Sequence, residues 1–241
     1  MPQILISGKD IRGSSIVIDD ARYRHIRSLR VKIGQGLVFR DEWGKGYIGI
    51  LRHLSRHRAV FEISDRLSDT RPGSGIILAQ SIIKKDRMLL ALEKATELGV
   101  DAIVPFVSHY TIVRPHGTGF QSKYQAAIRE AVGQCMRPDV PMLHEPATFK
   151  GLFDTAGNAC ILLFHVGSET SPVSGFLQEI QQAESVLLVV GPEGGFSEGE
   201  IALATAHGAH SVSLGRSILR SETAAAVSVG VVTFIREQLR S

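Results

Sequence analysis

At 241 residues, 44% apolar and 21% charged, the chain has the make-up of an ordinary globular protein, with room for one large domain or a small one beside a medium one. No apolar run nears the roughly 20 residues that span a bilayer, the N-terminus Met-Pro-Gln-Ile-Leu-Ile-Ser lacks a charged-then-apolar signal design, and the two cysteines, Cys135 and Cys160, have no partner His or Cys spacing. A membrane span, a disulfide framework and a zinc site are therefore not expected, and a reducing, cytoplasmic setting is. Net charge is only +3, but residues 1–72 hold 14 Lys and Arg against 8 Asp and Glu, whereas residues 73–241 hold 13 against 16. A basic first third beside a mildly acidic remainder fits a polyanion-docking module next to a separate pocket, although ordinary charge scatter gives the same numbers.

The first seventy residues read as β-rich. Short apolar or alternating runs at residues 13–18, 37–40, 47–51 and 59–63 are separated by turn formers, with Trp43-Gly44-Lys45-Gly46 as a hairpin connection. Strands this short and this closely spaced predict a small barrel. Between the first two runs, Arg22, Arg24, Arg27, Arg30 and Lys32 crowd one short span, while Tyr23, Ile26 and Leu29 (or Arg30) recur at helical spacing. The cations then spread over the exposed face of a short helix, where they would grip phosphate.

Residues 68–75 (Ser-Asp-Thr-Arg-Pro-Gly-Ser-Gly) are dense in turn formers and form the candidate linker, dividing the chain into domains 1–72 and 73–241. Beyond it strands and helices alternate. A strand at 76–80 leads to a helix capped by Asp86 that runs through Leu98 and stops at Gly99. A strand at 102–107 contains Pro105, which should make its ladder irregular. A second amphipathic helix is marked by Tyr124, Ala127, Ile128, Ala131, Val132 and Cys135. Strand 160–164, helix 173–183, strand 185–190, helix 198–207, strand 211–214 and a final helix from about 222 to 240 follow. This rhythm predicts an α/β fold with a parallel sheet covered on both faces.

Two loops carry the chemistry. Gly191-Pro-Glu-Gly-Gly-Phe-Ser197 follows the apolar run Val186–Val190, and Ser197 with Glu200 forms an S-x-x-E capping box that opens a helix. A strand, a glycine turn and a helix N-terminus can present backbone N–H groups to a ligand. The loop is neither a Walker A sequence nor a G-x-G-x-x-G fingerprint, and a purely structural turn explains it equally well. The second loop is Leu214-Gly-Arg-Ser-Ile-Leu-Arg-Ser-Glu-Thr-Ala224. Ser221 is placed to cap the last helix, and Glu222 in its first turn is favoured by the helix dipole whether or not it has a further role. Arg216 and Arg220 flank the apolar pair Ile218-Leu219, which suits a flat ligand near charged groups. If both loops leave neighbouring strands at one sheet edge, they enclose a crevice of the kind in which open α/β sheets bind ligands. His25, His109 and His165 invite a catalytic role, but single histidines so placed are more often hydrogen-bonded loop residues, and no cluster for a metal is evident.

The two loops, together with Glu93-Lys-Ala-Thr-Glu-Leu-Gly-Val100 and His25-Ile-Arg-Ser-Leu-Arg30, resemble the RsmE family over nearly the whole chain. Its members are SPOUT-class methyltransferases that modify N3 of a uridine in 16S rRNA of the small ribosomal subunit. The resemblance implies a PUA-like N-terminal barrel, a SPOUT-type α/β domain with a C-terminal trefoil knot, S-adenosylmethionine as cofactor, and a homodimer. It implies that Gly191, Pro192, Glu193, Gly194 and Gly195 lie along the methionine end of the cofactor, and that Leu214, Gly215, Ile218 and Leu219 hold the adenine with help from His165. Arg220 and Glu222 then face the base, Arg220 stabilising charge and Glu222 orienting the uracil or accepting its proton. The chain departs from the family pattern at Gly133–Met136 and at Ser108–Tyr110. Two alternatives stand beside this reading: a SPOUT enzyme acting on another RNA position such as a ribose 2′-oxygen, against which Gln80-Ser-Ile-Ile-Lys-Lys-Asp86 lacks the Asn-x-Gly-type motif, and a non-catalytic RNA-binding assembly factor.

Overall fold

A computed structural model describes residues 3–41, 45–67, 75–113, 119–137, 139–154, 156–167 and 169–238. Trp43 and Gly44 of the expected hairpin connection, and all but the last residue of the expected linker, lie outside them. The chain folds into two compact units, Met1–Pro72 with Val132–Val140, and Gly73–Ala131 with Pro141–Ser241.

In the first unit, β1 (Gln3–Leu5), β2 (Ile11–Arg12), β3 (Ser15–Ile18), β4 (Gly36–Arg40), β5 (Gly46–Leu54) and β6 (Ala59–Leu67) form one mixed sheet in the order β1-β4-β5-β6-β3-β2. Strands β1 and β4 run parallel, and the other pairs are antiparallel. Alternation along the strands sends Ile16, Ile18, Leu37, Phe39, Leu51 and Phe61 into a common core, where the Phe39 and Phe61 rings meet edge to face at 4.7 Å. Gly49 is dictated by that packing, because a Cβ there would sit 2.7 Å from the Phe39 ring. Helix α1 (Arg22–Ser28) buries Tyr23 and Ile26 against this core and ends at Arg30, whose φ of 50° turns the chain out of the helix.

The second unit carries a parallel sheet made of β7 (Ile76–Ser81), β8 (Ala102–Val107), β9 (Met142–Leu143), β10 (Ala147–Thr148), β11 (Cys160–Phe164), β12 (Ser171–Pro172), β13 (Val186–Val190) and β14 (His210–Ser213). Its order is β10-β8-β7-β13-β11-β14-β12, with β9 also beside β8. The central strands β11 and β13 read as unbroken apolar runs because both of their faces are covered. The helices are α2 (Lys85–Glu97), α3 (Gly119–Cys135), α4 (Gly151–Asp154), α5 (Leu177–Gln182, preceded by a 3₁₀ turn at Val173–Phe176), α6 (Glu198–Ala206) and α7 (Ser221–Gln238). On α7, Ala225, Val229, Val232 and Ile235 are buried at helical spacing, and the helix packs on α2, α5, β7 and β13.

Three local expectations are corrected. Asp86 lies within the first turn of α2 rather than at its cap, because Lys84 takes the cap position and the helix starts at Lys85. The β7–β8 register runs unbroken past Pro105. Residues of a parallel strand alternate in which neighbour they bond, and Ile103 and Phe106 show the alternation here: the Ile103 carbonyl accepts from His144 on the outer side, the Phe106 carbonyl from Ile82 on the β7 side. Pro105 shares the parity of Ile103, so its missing N–H faces the outer side, between the residues that pair with β9 and with β10, and the register with β7 continues past it. Finally, Ser221 is the first residue of α7 and its hydroxyl is spent elsewhere, as described next.

Candidate active site at the strand ends

The two chemistry-bearing loops do leave one edge of the sheet, but their strands are not neighbours: β11 lies between β13 and β14. The consequence is that the residues following β11 enter the site. A pocket opens between Phe164, His165 and Val166 on one side and Leu214, Gly215 and Leu219 on the other, with Ala224 of α7 also in its wall. The lining is mainly apolar, and His165 brings a buried Nε2 that has no hydrogen-bond partner among the described residues. A buried polar atom left unpaired costs about 1–3 kcal/mol, which a bound donor or acceptor would recover.

Each loop is shaped by short-range constraints. Gly215 has φ +136°, a conformation that L side chains rarely adopt, and its N–H and carbonyl both bond the Ser213 hydroxyl. Arg216, Ser217, Ile218 and Arg220 lie exposed, Ile218 at 79%. In the first loop, Gly194 lies under Tyr110, where a Cβ would come within 2.8 Å of the tyrosine Cβ. The expected capping box is present: Ser197 and Glu200 bond reciprocally at the start of α6. Glu200 Oε1 also accepts the His109 N–H at 2.8 Å, so the segment departing from the family pattern at Ser108–Tyr110 sits directly over the glycine loop.

Ser221 fastens the two loops together. Its Oγ donates to the Gly191 carbonyl at 2.6 Å and accepts from Gln80 Nε2 at 2.9 Å, joining the ends of β13 and β7 to the start of α7. Gly191 and Pro192 are buried there, while Glu193 and Gly194 are exposed and Gly195 is half-buried with φ +72°. Glu222 is only 7% exposed, and its Oε2 has no hydrogen-bond partner among the described residues. Arg87 of α2 reaches across the crevice, with Nη1 3.5 Å from Glu193 Oε1 and Nε 3.8 Å from Glu222 Oε1.

The fold thus gathers His165, Leu214, Gly215 and Leu219 around the pocket, and sets Glu193 and Glu222 on either side of Arg87. Ile218 and Arg220 project from the rim, and Gly191–Gly195 are not part of the pocket wall. Two members of this site were missed from the sequence. Arg87 carries no motif beyond its place in a helix N-terminal turn, and Gln80 reads as one more strand residue. Nothing in the sequence signals that Cys160, Glu179 and His210, from three separate elements, bring donor atoms within 4.8 Å of one another at the opposite end of β11 and β14. There Glu179 and His210 pair at 2.7 Å, and burial, with Glu179, pushes the Cys160 thiol up to about 11.

Of the expected phosphate-binding cations, Arg24, Arg27, Arg30 and Lys32 are exposed. Arg22 is placed otherwise. It bonds Asp10 at 2.7 Å, Asp20 at 2.6 Å and the Leu5 carbonyl at 3.1 Å. Burial alone would lower its pKa, but these bonds override it and hold the guanidinium above its ordinary value; the hydrogen bond to Arg22 holds Asp20 below its own.

The RNA methyltransferase domain family matches residues 71–233, which takes in every residue of the crevice. The chain belongs to that family. It is 29% identical to ribosomal RNA small subunit methyltransferase E of Mycobacterium tuberculosis, over 91% of this chain and 86% of that one. Among solved structures it resembles ribosomal RNA small subunit methyltransferase E of Neisseria gonorrhoeae bound to S-adenosyl methionine, with 29% identity, 98% of each chain covered and a TM-score of 0.85. A Legionella pneumophila protein solved with the cofactor SAM is similar at 28% identity, 96% of each chain and a TM-score of 0.84. Among the described residues no helix is long and apolar enough to cross a membrane.

Proposed function

We propose that the protein methylates N3 of a uridine in 16S rRNA of the small ribosomal subunit, using S-adenosylmethionine and acting as a homodimer in the cytoplasm. The observation that carries this reading is the pairing of an apolar pocket containing the unpartnered His165 Nε2 with an adjoining crevice containing the unpartnered, buried Glu222 Oε2, both as seen among the described residues. The first suits a nucleoside with ring nitrogens and hydroxyls. The second suits a donor such as the uracil N3–H.

When bound, S-adenosylmethionine supplies a methyl group on a sulfonium centre that is open to in-line attack. Leu214, Gly215 and Leu219 would flank its adenine, with Ile218 covering the outer face and His165 completing the polar contacts. Gly191, Pro192, Glu193, Gly194 and Gly195 would run beside its methionine end. Uracil N3 is a poor nucleophile until its proton leaves. Glu222, acceptor-only when ionised, would orient the base or take that proton, and Arg220 at the rim would stabilise the negative charge that develops. Arg87 would hold Glu193 and Glu222 in place. Positioning of the two reactants supplies the rest of the acceleration.

The finer architecture belongs to the same proposal. The mixed sheet of the first unit, with its single core, supports a PUA-like barrel across residues 1–72 that binds RNA. Residues 73–241 form the catalytic domain. After β14 the chain returns past β11 and β13 to lay α7 against α2 and β7, with Ser221 fastened to Gly191, a path that supports a C-terminal trefoil knot. Val227 and Phe234, seven residues apart on α7 and both exposed, support a dimer interface.

The test is to incubate the protein with small ribosomal subunits and labelled S-adenosylmethionine and to map the modified nucleotide. Label on N3 of one uridine is the expected result. Label on a ribose oxygen would transfer the reading to another SPOUT target, and failure to bind S-adenosylmethionine by calorimetry would favour a non-catalytic assembly factor.

A further inference from the structure

The first unit contains a second run of cations that belongs to no helix and no motif: Arg52, His53, Arg56, His57 and Arg58, around the turn between β5 and β6. Arg52 is paired with Glu62 at 2.6 Å. Arg56, His57 and Arg58 are exposed, and neither arginine has an acidic partner among the described residues. The turn that presents them is tight, closed by the Ser55 N–H donating to the Arg58 carbonyl at 2.9 Å and by the Ser55 hydroxyl at 3.2 Å.

This turn is fastened to α1. The Tyr23 hydroxyl donates to the Ser55 carbonyl, and Arg27 Nη1 donates to the same hydroxyl at 3.3 Å. Tyr23 is otherwise buried in the core, so its ring fixes where the phenol ends and therefore where the turn lies. Arg56 follows directly on Ser55, so the backbone that carries the arginines of the turn is tied through Tyr23 to the helix that carries Arg27 and Arg24. Arg22, the first cation of α1, is neutralised by Asp10 and Asp20 and stands apart from this group. Unpaired guanidiniums repel one another, so a cluster of them stabilises little and is suited to an external polyanion.

We propose that the nucleic-acid surface of the first unit is a composite of α1 and the β5–β6 turn, in which Arg24, Arg27, Arg56 and Arg58 contact RNA phosphates and Arg22 does not. The inference rests on the rRNA methyltransferase reading above, which names the polyanion as RNA. A bent or folded backbone would meet both elements at once, each neutralised phosphate releasing counterions.

The test measures binding of full-length protein to an in vitro transcribed 16S rRNA as a function of salt. Each phosphate left without its cation lowers the slope of log K against log salt by about 0.7–0.9, so the double variant Arg56→Gln, Arg58→Gln should reduce the slope by about 1.5. The variant Arg56→Lys, Arg58→Lys should keep the slope, because phosphate binding needs charge rather than a guanidinium fork. Arg22→Gln should lower the melting temperature and leave the slope unchanged. An unchanged slope in the Gln double variant, with a wild-type melting temperature, overturns the proposal while leaving the methyltransferase reading intact. A reduced slope that Lys does not restore also overturns it, since the effect would then be structural. Methylation of small ribosomal subunits by the unaltered protein separates this failure from failure of the parent reading.

Discussion

Ser221→Ala removes one oxygen and should uncouple the two loops of the site. The residue is 5% exposed and its hydroxyl makes two bonds, donating to the Gly191 carbonyl at 2.6 Å and accepting from Gln80 Nε2 at 2.9 Å. Gln80 keeps its second bond, to the Ser81 carbonyl at 2.8 Å, so the larger loss falls on the buried carbonyl of Gly191. The penalty on the unsatisfied Gly191 carbonyl, about 1–3 kcal/mol, and the lost net bond to Gln80, about 0.5–1.5 kcal/mol, together give a destabilisation of about 1.5–4.5 kcal/mol. For a unit of this size that corresponds to a fall in Tm of about 3–18 °C. Calorimetric melting and urea titration check it, the urea slope remaining unchanged if only the native state is affected. Because the 191–197 loop then loses its anchor, affinity for S-adenosylmethionine should fall as well. A double-mutant cycle with Gln80→Leu isolates the coupling. A Tm within about 1 °C of wild type, or strict additivity with Gln80→Leu, would refute the clasp.

Arg220→Ala should lower methyl transfer about 10²–10³-fold while leaving the S-adenosylmethionine Kd nearly unchanged, by analogy with loss of one charge-stabilising group; equal loss of both by calorimetry and turnover assay would sink its assignment to the base. Arg87→Met should lower kcat with little change in cofactor Kd, and Arg87→Lys should recover most of it, whereas a change in KM alone would make Arg87 a simple binding group. Gly215→Ala meets no steric obstacle among the described residues, so its cost is the backbone strain of a positive φ, about 1–3 kcal/mol; an unshifted melting curve would show that the loop readily adopts another conformation. Burial, with Glu179, raises the Cys160 thiol from 9.0 to about 11, so it stays protonated at neutral pH and iodoacetamide should label it slowly in the folded protein. The folded state then holds its proton where the unfolded state releases it. That stabilisation is complete below about 9 and is lost as pH rises through about 11, so the stability difference between wild type and Cys160→Ala should shrink across this range.

Much of the framework was legible because it is written locally. The unbroken apolar runs Cys160–Phe164 and Val186–Val190 announce strands buried on both faces, and the Ser197–Glu200 box marks the start of α6 to the residue. What eluded local reading was neighbourhood. The sequence suggested that the strands before the two loops adjoin, whereas β11 separates them, and this is why the residues after β11 line the pocket. Arg22 looked like one more member of a cationic helix face, and its two carboxylate partners are 12 and 2 residues away. Pro105 looked disruptive because sequence does not say which neighbour a given strand residue bonds.

Local sequence was enough for the elements, the two glycine-containing loops and the residue types at the crevice, since propensity, capping and periodicity act over a few residues and survive in any window. Which of those residues meet was settled by the fold in three dimensions. Strand order places His165 opposite Leu214 and Leu219; the return of α7 brings Ser221 to Gly191 and Gln80; the start of α2 puts Arg87 between Glu193 and Glu222. The two bonds of Ser221 alone join it to residues 30 and 141 positions away, and no local pattern encodes a partner that distant. The chemistry of the site depends on such meetings, because a carboxylate or an imidazole acquires its role from what is, and is not, within bonding distance.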